Sequence, residues 1–129
     1  MTHSNSVKHV LLAVGLGAMV AACDGGGTPM GPAYADIQKD LVSLGCTAVG
    51  CHNATATNKL KIDPTAGKEM DNYMLLLNQQ LVIKMDATNS PLVKVPSTGT
   101  ATGGATHVKT LTGSKLTNWQ TWVNNGASF

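Results

Sequence analysis

Apolar residues recur at helical spacing in several stretches of this chain, and nowhere does strict alternation persist long enough to build a sheet. Ile37, Leu41 and Leu44 lie three and four positions apart and predict a first helix over 33–44. Asp36 and Asp40 fall toward its favourable N-terminal side, and Gly45 ends it. Asn53 to Asn58 is polar and reads as a loop. Leu60 and Ile62 alternate with Lys59, Lys61 and Asp63, which gives a short extended segment. Asp63-Pro64 offers an N-cap followed by proline at the first helical position. A second helix is therefore expected over 65–80, with Met70, Tyr73, Met74 and Leu77 on its buried face. Ser90-Pro91 repeats the cap-and-proline signal for a short helix through Leu92 and Val93 that Pro96 should stop. Ser97 to Thr106, rich in Gly and Thr, should be a surface loop. The last helix is expected over 114–124, with Leu116, Trp119, Trp122 and Val123 as its apolar face and Asn125-Gly126 as its C-cap. The pattern predicts an all-α domain.

Ahead of that domain the pattern changes character. Thr2 to His9 is polar with one lysine, and Val10 to Ala22 is an uncharged apolar run too short to span a bilayer. It ends Val20-Ala21-Ala22-Cys23, which resembles a bacterial lipobox, so 1–22 reads as a lipoprotein signal peptide and Cys23 as the lipidated residue. Ordinary cleavage near Ala22, or an uncleaved anchor, are the alternatives. Residues 23–32 are a tether dominated by Gly and Pro, and 33–129 form the one domain. The expected location is the cell envelope, with the chain lipid-anchored and facing periplasm or cell surface.

Composition narrows the function classes. From Cys23 onward the chain has eight Lys, no Arg and seven acidic residues, a net charge close to +1. No basic stripe is available to neutralise phosphates, which argues against nucleic acid as a partner. Aromatic residues are few, and a 97-residue domain is small enough to gain much from a cofactor in its core. No Ser/His/Asp set and no paired carboxylates point to catalysis, and the chain does not read as an enzyme.

The chemistry concentrates in Cys46-Thr47-Ala48-Val49-Gly50-Cys51-His52. Two cysteines followed at once by histidine are what covalent haem attachment requires: each thiol adds to a haem vinyl group and the adjacent imidazole reaches the iron. Four residues separate the cysteines where two are usual, and Gly50 suits the turn a wider loop needs. With Cys23 consumed by lipid, a Cys46–Cys51 disulfide is the plain alternative in an oxidising compartment. A zinc site is disfavoured, because zinc wants four ligands and the mature chain holds only these two cysteines with His52 and His107.

On these residues the chain resembles small bacterial lipoprotein c-type cytochromes with a C-x4-C-H haem motif. The likeness continues through Leu60-x-Ile62, the helix bearing Tyr73, Ser90-Pro91-Leu92-Val93, and the closing Trp122-Val123-Asn124-Asn125-Gly126-Ala127. It implies a class I cytochrome c-like fold, with first and last helices packed together beside one covalent haem c. Relatives commonly carry a Met-Pro pair before the last helix, where the methionine is the distal ligand. Here that place falls at Ala105-Thr106-His107-Val108. The expectation is therefore His52 proximal and His107 distal, with Met85 as the alternative distal ligand, and Met70 and Met74 as core packing. The function implied is one-electron transfer between redox partner proteins of the envelope, with the Cys23 lipid holding the chain to its membrane. A haem-based sensor with a displaceable distal residue, or a haem-free structural lipoprotein, are the alternatives.

Overall fold

The computed structural model describes residues 31–101, 104–108 and 110–129. Cys23, the expected signal peptide 1–22 and most of the expected tether 23–32 lie outside them. Four helices follow in order: α1 (Tyr34–Ser43), α2 (Glu69–Asn78), α3 (Pro91–Thr98) and α4 (Gly113–Asn124). Among the described residues there are only two isolated β-bridges and no strand, so the architecture is all-α. None of these helices is long and apolar enough to cross a membrane.

The first and last helices pack against one another, α1 also against α2 and α3 against α4. The α1–α4 contact has an apolar and a polar part. Tyr34, Ile37 and Leu41 form the buried stripe of α1, facing Trp119, Trp122 and Val123 of α4 across a shared core. The Tyr34 ring lies 6.0 Å from Trp122 and 5.5 Å from Tyr73, in tilted arrangements that aromatic rings favour. Beside this core, Asp40 accepts a hydrogen bond from Trp119 Nε1 (3.0 Å) and an ion pair from Lys115. A half-buried carboxylate thus satisfies the indole N–H that burial of Trp119 would otherwise strand.

Helix starts diverge from the cap signals in one place. Asp63-Pro64 does not open α2; Asp63 Oδ1 instead accepts from Thr65 N in a tight turn, and Gly67 sits at φ +87°. That left-handed residue cannot belong to a helix, so α2 begins at Glu69. The later start goes with a different buried face. Asn72, Tyr73 and Leu76 point inward, while Met70 and Met74 stand 48% and 44% exposed and are surface residues, not core. Asn72 is affordable inside because both ends of its amide are used: Nδ2 donates to Gln38 Oε1 and Asp63 O, and Oδ1 accepts from Asp63 N.

Pro96 does not stop α3, which runs on to Thr98 and ends at the left-handed Gly99. Proline costs a helix its own N–H but leaves its carbonyl, and Pro96 O accepts from Thr110 N and Leu111 N. Residues 97 and 98, expected in the loop, are therefore helical.

Three helices close with the same paired hydrogen bonds. After α1, Cys46 N donates to Leu41 O and Gly45 N to Val42 O; α2 and α4 repeat this through Gln80 and Gly126. Gln80 is the odd member, a side-chain-bearing residue at φ 54° where the other two closures use glycine. Gln80→Gly should relieve that conformation and raise stability by about 1 kcal/mol, a gain of roughly 4–8 °C in a thermal melt. An unchanged or lower melting temperature would show the αL conformation costs nothing here.

Candidate functional site

The α1 closure delivers the chain directly into the Cys46–His52 loop. Within it, Ala48 N donates to Gly45 O and Cys51 N to Ala48 O, and Gly50 takes φ +85°. His52 N then donates back to Cys46 O at 2.9 Å, so the four intervening residues fold into a compact excursion whose ends meet. Cys46 is half-buried and Cys51 exposed, and both are free thiols. Burial pushes the Cys46 thiol up, with neighbouring Cys51 acting in the same direction, which keeps it protonated at neutral pH.

His52 is fixed by the segment that follows. Its backbone carbonyl accepts from Ile62 N (2.7 Å), and Asn53 bridges to Ile62 in parallel register. Ile62 is fully buried, so the extended Leu60-x-Ile62 segment is pinned to the core and presents Leu60 O to the imidazole. His52 Nδ1 lies 3.1 Å from Leu60 O and 2.9 Å from Asn58 Oδ1. Both are acceptors, because Asn58 commits its Nδ2 to Cys51 O at 2.8 Å. Nδ1 must therefore carry the proton, and Nε2 keeps a lone pair to give.

The second imidazole arrives from the opposite half of the chain, 55 positions later. Beyond α3 the backbone turns through a small hairpin in which Thr100 bridges Thr106, Ala101 N donates to Ala105 O, and His107 N donates to Gly99 O. His107 Nδ1 lies 2.7 Å from Val108 O, so this ring too is protonated at Nδ1 and free at Nε2. The two ring centres are 5.9 Å apart and their planes differ by 19°.

Both rings line one cavity of about 400 Å³. Cys46 is in its wall, together with Leu41, Leu60, Leu81, Leu92, Val95, Pro96 and Trp119. Cys51 is not among the lining residues. Met85 stands elsewhere: 76% exposed, at φ 65°, with its N–H on Val123 O at the end of α4. The structure thus brings Cys46, His52 and His107 to one apolar space and leaves Met85 outside it. Asn58 is the residue the sequence did not single out; its only signal was a polar position six residues beyond a histidine, which many loops share.

Donor chemistry and shape can be tested against haem. An imidazole nitrogen binds a first-row ion at about 2.0 Å and sits about another ångström from its own ring centre, so two rings sharing one ion have centres about 6 Å apart. The 5.9 Å separation meets that spacing. No group of three or more His, Cys, Asp or Glu gathers among the described residues. Two imidazoles leave a tetrahedral ion half-coordinated, whereas a porphyrin iron brings four ligands of its own and would need only two from the protein. The apolar wall suits its flat hydrocarbon faces. Cys46, His52 and His107 fit a haem at this cavity, and Cys51, exposed and outside its wall, is the one residue of the motif not brought to it.

No family model, no curated protein and no solved structure matches this chain.

Proposed function

We propose that this chain is a monohaem c-type cytochrome, held to a membrane by a lipid on Cys23 and passing single electrons between proteins of the bacterial cell envelope. The observation that carries the reading is the pair of near-parallel imidazoles, each with its proton fixed on Nδ1, 5.9 Å apart at an apolar cavity beside Cys46. Haem, when bound, supplies an iron that gains and loses one electron.

The protein's share of that chemistry follows from its own groups. The Cys46 and Cys51 thiols would hold the haem, each by adding its S–H across one vinyl group, an addition that needs no outside oxidant or reductant. His52 and His107, each with its proton on Nδ1, would both have Nε2 available to hold the iron, which would leave it no open position for a substrate. Imidazole at the distal place, where thioether would raise the potential, favours a low-potential centre. Leu41, Leu60, Val95 and Trp119 give the cavity an apolar wall, which would lower the dielectric around a bound group. A net charge near +1 gives little long-range steering and suits brief encounters with redox partners.

Protein purified from a host with a working haem-attachment system should be red. Its oxidised and reduced absorption spectra should be those of a six-coordinate, low-spin c-type haem, and its denatured, reduced mass should include one haem. Colourless protein with a Cys46–Cys51 disulfide would overturn the reading in favour of a haem-free structural lipoprotein.

A further inference from the structure

We infer that Asn58 is a positioning residue, whose side-chain amide locks the His52 ring to the Cys46–Cys51 loop and fixes which imidazole nitrogen is offered to a metal. This rests on the haem reading for its functional meaning, but not for its geometry.

Asn58 lies in a loop and is exposed, so nothing about core packing requires it. Its amide nonetheless makes two directed bonds to consecutive residues of the motif. Nδ2 donates to Cys51 O at 2.8 Å, and Oδ1 accepts from His52 Nδ1 at 2.9 Å. The first bond decides the second. With Nδ2 spent on a carbonyl, which can only accept, Oδ1 is the end that faces the imidazole, and an oxygen there demands a proton on Nδ1. Leu60 O accepts from the same N–H at the longer 3.1 Å. One backbone acceptor leaves the ring free to swing about its Cα–Cβ and Cβ–Cγ bonds. Two acceptors on different chain segments confine it.

The contrast with His107 sharpens the point. Its Nδ1 partner is the carbonyl of the next residue, Val108, and among the described residues no hydrogen bond ties the ring to anything outside its own loop. Among the described residues, only the imidazole adjoining the two thiols is held by a side chain that also grips the cysteine backbone. Attachment at Cys51 and ligation at His52 must be satisfied by one rigid group, so any slack between them would set the sulfur and the nitrogen against each other. The Asn58 amide removes that slack. It also makes Nε2 more basic, because an acceptor on Nδ1–H leaves more electron density on the ring.

The test uses two variants and a readout that requires no haem. In the haem-free full chain, the ¹⁵N shifts of the His52 ring, read through its carbon-bound protons, should report the Nδ1–H form. Asn58→Leu keeps bulk and removes both bonds; it should shift His52 toward a mixture of the two neutral forms while His107 stays unchanged. Asn58→Asp keeps an acceptor at Nδ1 and should hold the Nδ1–H form. Added haemin should bind the Asn58→Leu chain about 10–100-fold more weakly than the parent, the range typical of lost outer-sphere partners. Matured Asn58→Asp protein should have a lower midpoint potential than the parent, since a charged acceptor raises ligand basicity further. Wild-type His52 shifts in Asn58→Leu would overturn the inference. If that variant does not fold, Asn58→Asp decides: a loss of the Nδ1–H form there overturns it, and retention with altered ring shifts supports it. Failure of the haem reading would appear separately, as chains that bind no haemin while His52 still responds to Asn58.

Discussion

His107→Ala protein, matured alongside the parent, should keep its covalent haem mass and lose its six-coordinate spectrum. When reduced it should take up carbon monoxide rapidly and completely, where the parent reacts slowly or not at all. The reasoning is local: His107 contributes no thiol and no core packing, so its loss opens one axial position without loosening the attachment. His52→Ala should behave otherwise. His52 adjoins Cys51 and is braced by Leu60 O and Asn58, and its removal should lower the affinity of the haem-free chain for haemin by more than the roughly 10–100-fold expected for an outer partner. A His107→Ala protein with the parent's spectrum and carbon monoxide inertness would refute bis-imidazole ligation. It would turn attention to Met85, which would then have to leave its exposed turn.

Trp119→Ala should be the most damaging single change to the fold. The indole is buried in the core, forms part of the cavity wall, and donates Nε1–H to Asp40 across the α1–α4 contact. Truncating a buried tryptophan costs roughly 3–5 kcal/mol, against a total stability of about 5–15 kcal/mol for a domain of this class. At roughly 4–8 °C per kcal/mol for a small domain, the thermal midpoint of the haem-free chain should fall by about 12–40 °C. Circular dichroism on heating would measure it. Trp119→Phe should lose less, since it keeps a ring in the gap and Asp40 retains Lys115 as a partner. A fall of only a few degrees in Trp119→Ala would mean the α1–α4 contact is not the centre of the core.

Much of this architecture is legible from spacing alone. The first and last helices appear within a residue or two of where their apolar stripes place them, because each stripe is bounded by an unambiguous glycine stop. The second helix lies within its expected span but starts four residues later, because Asp63-Pro64 serves two structures equally well. Whether it caps a helix or closes a turn depends on Gly67, three residues on, and on a core slot for Asn72 that only the tertiary fold reveals. Their helical spacing with Tyr73 and Leu77 points Met70 and Met74 inward, whereas the tertiary fold rotates the buried face to Asn72, Tyr73 and Leu76. Pro96 misleads for a related reason: its carbonyl finds partners at Thr110 and Leu111, a long-range compensation invisible in sequence. At the site, the cysteines and His52 announce themselves by adjacency. His107 could be nominated by elimination and by its place before the last helix. Asn58 could not, since its meaning lies in two hydrogen bonds and not in its neighbours along the chain.

His52 and His107 belong to opposite halves of the polypeptide, and nothing covalent holds those halves together across the cavity. An ion gripped by both works as a buckle on a belt of chain. It is available only to the folded form, so loading adds its binding free energy to that of folding by mass action. On the haem reading, the polypeptide would be most open to proteases before loading, and fastening the buckle would mark the molecule as finished.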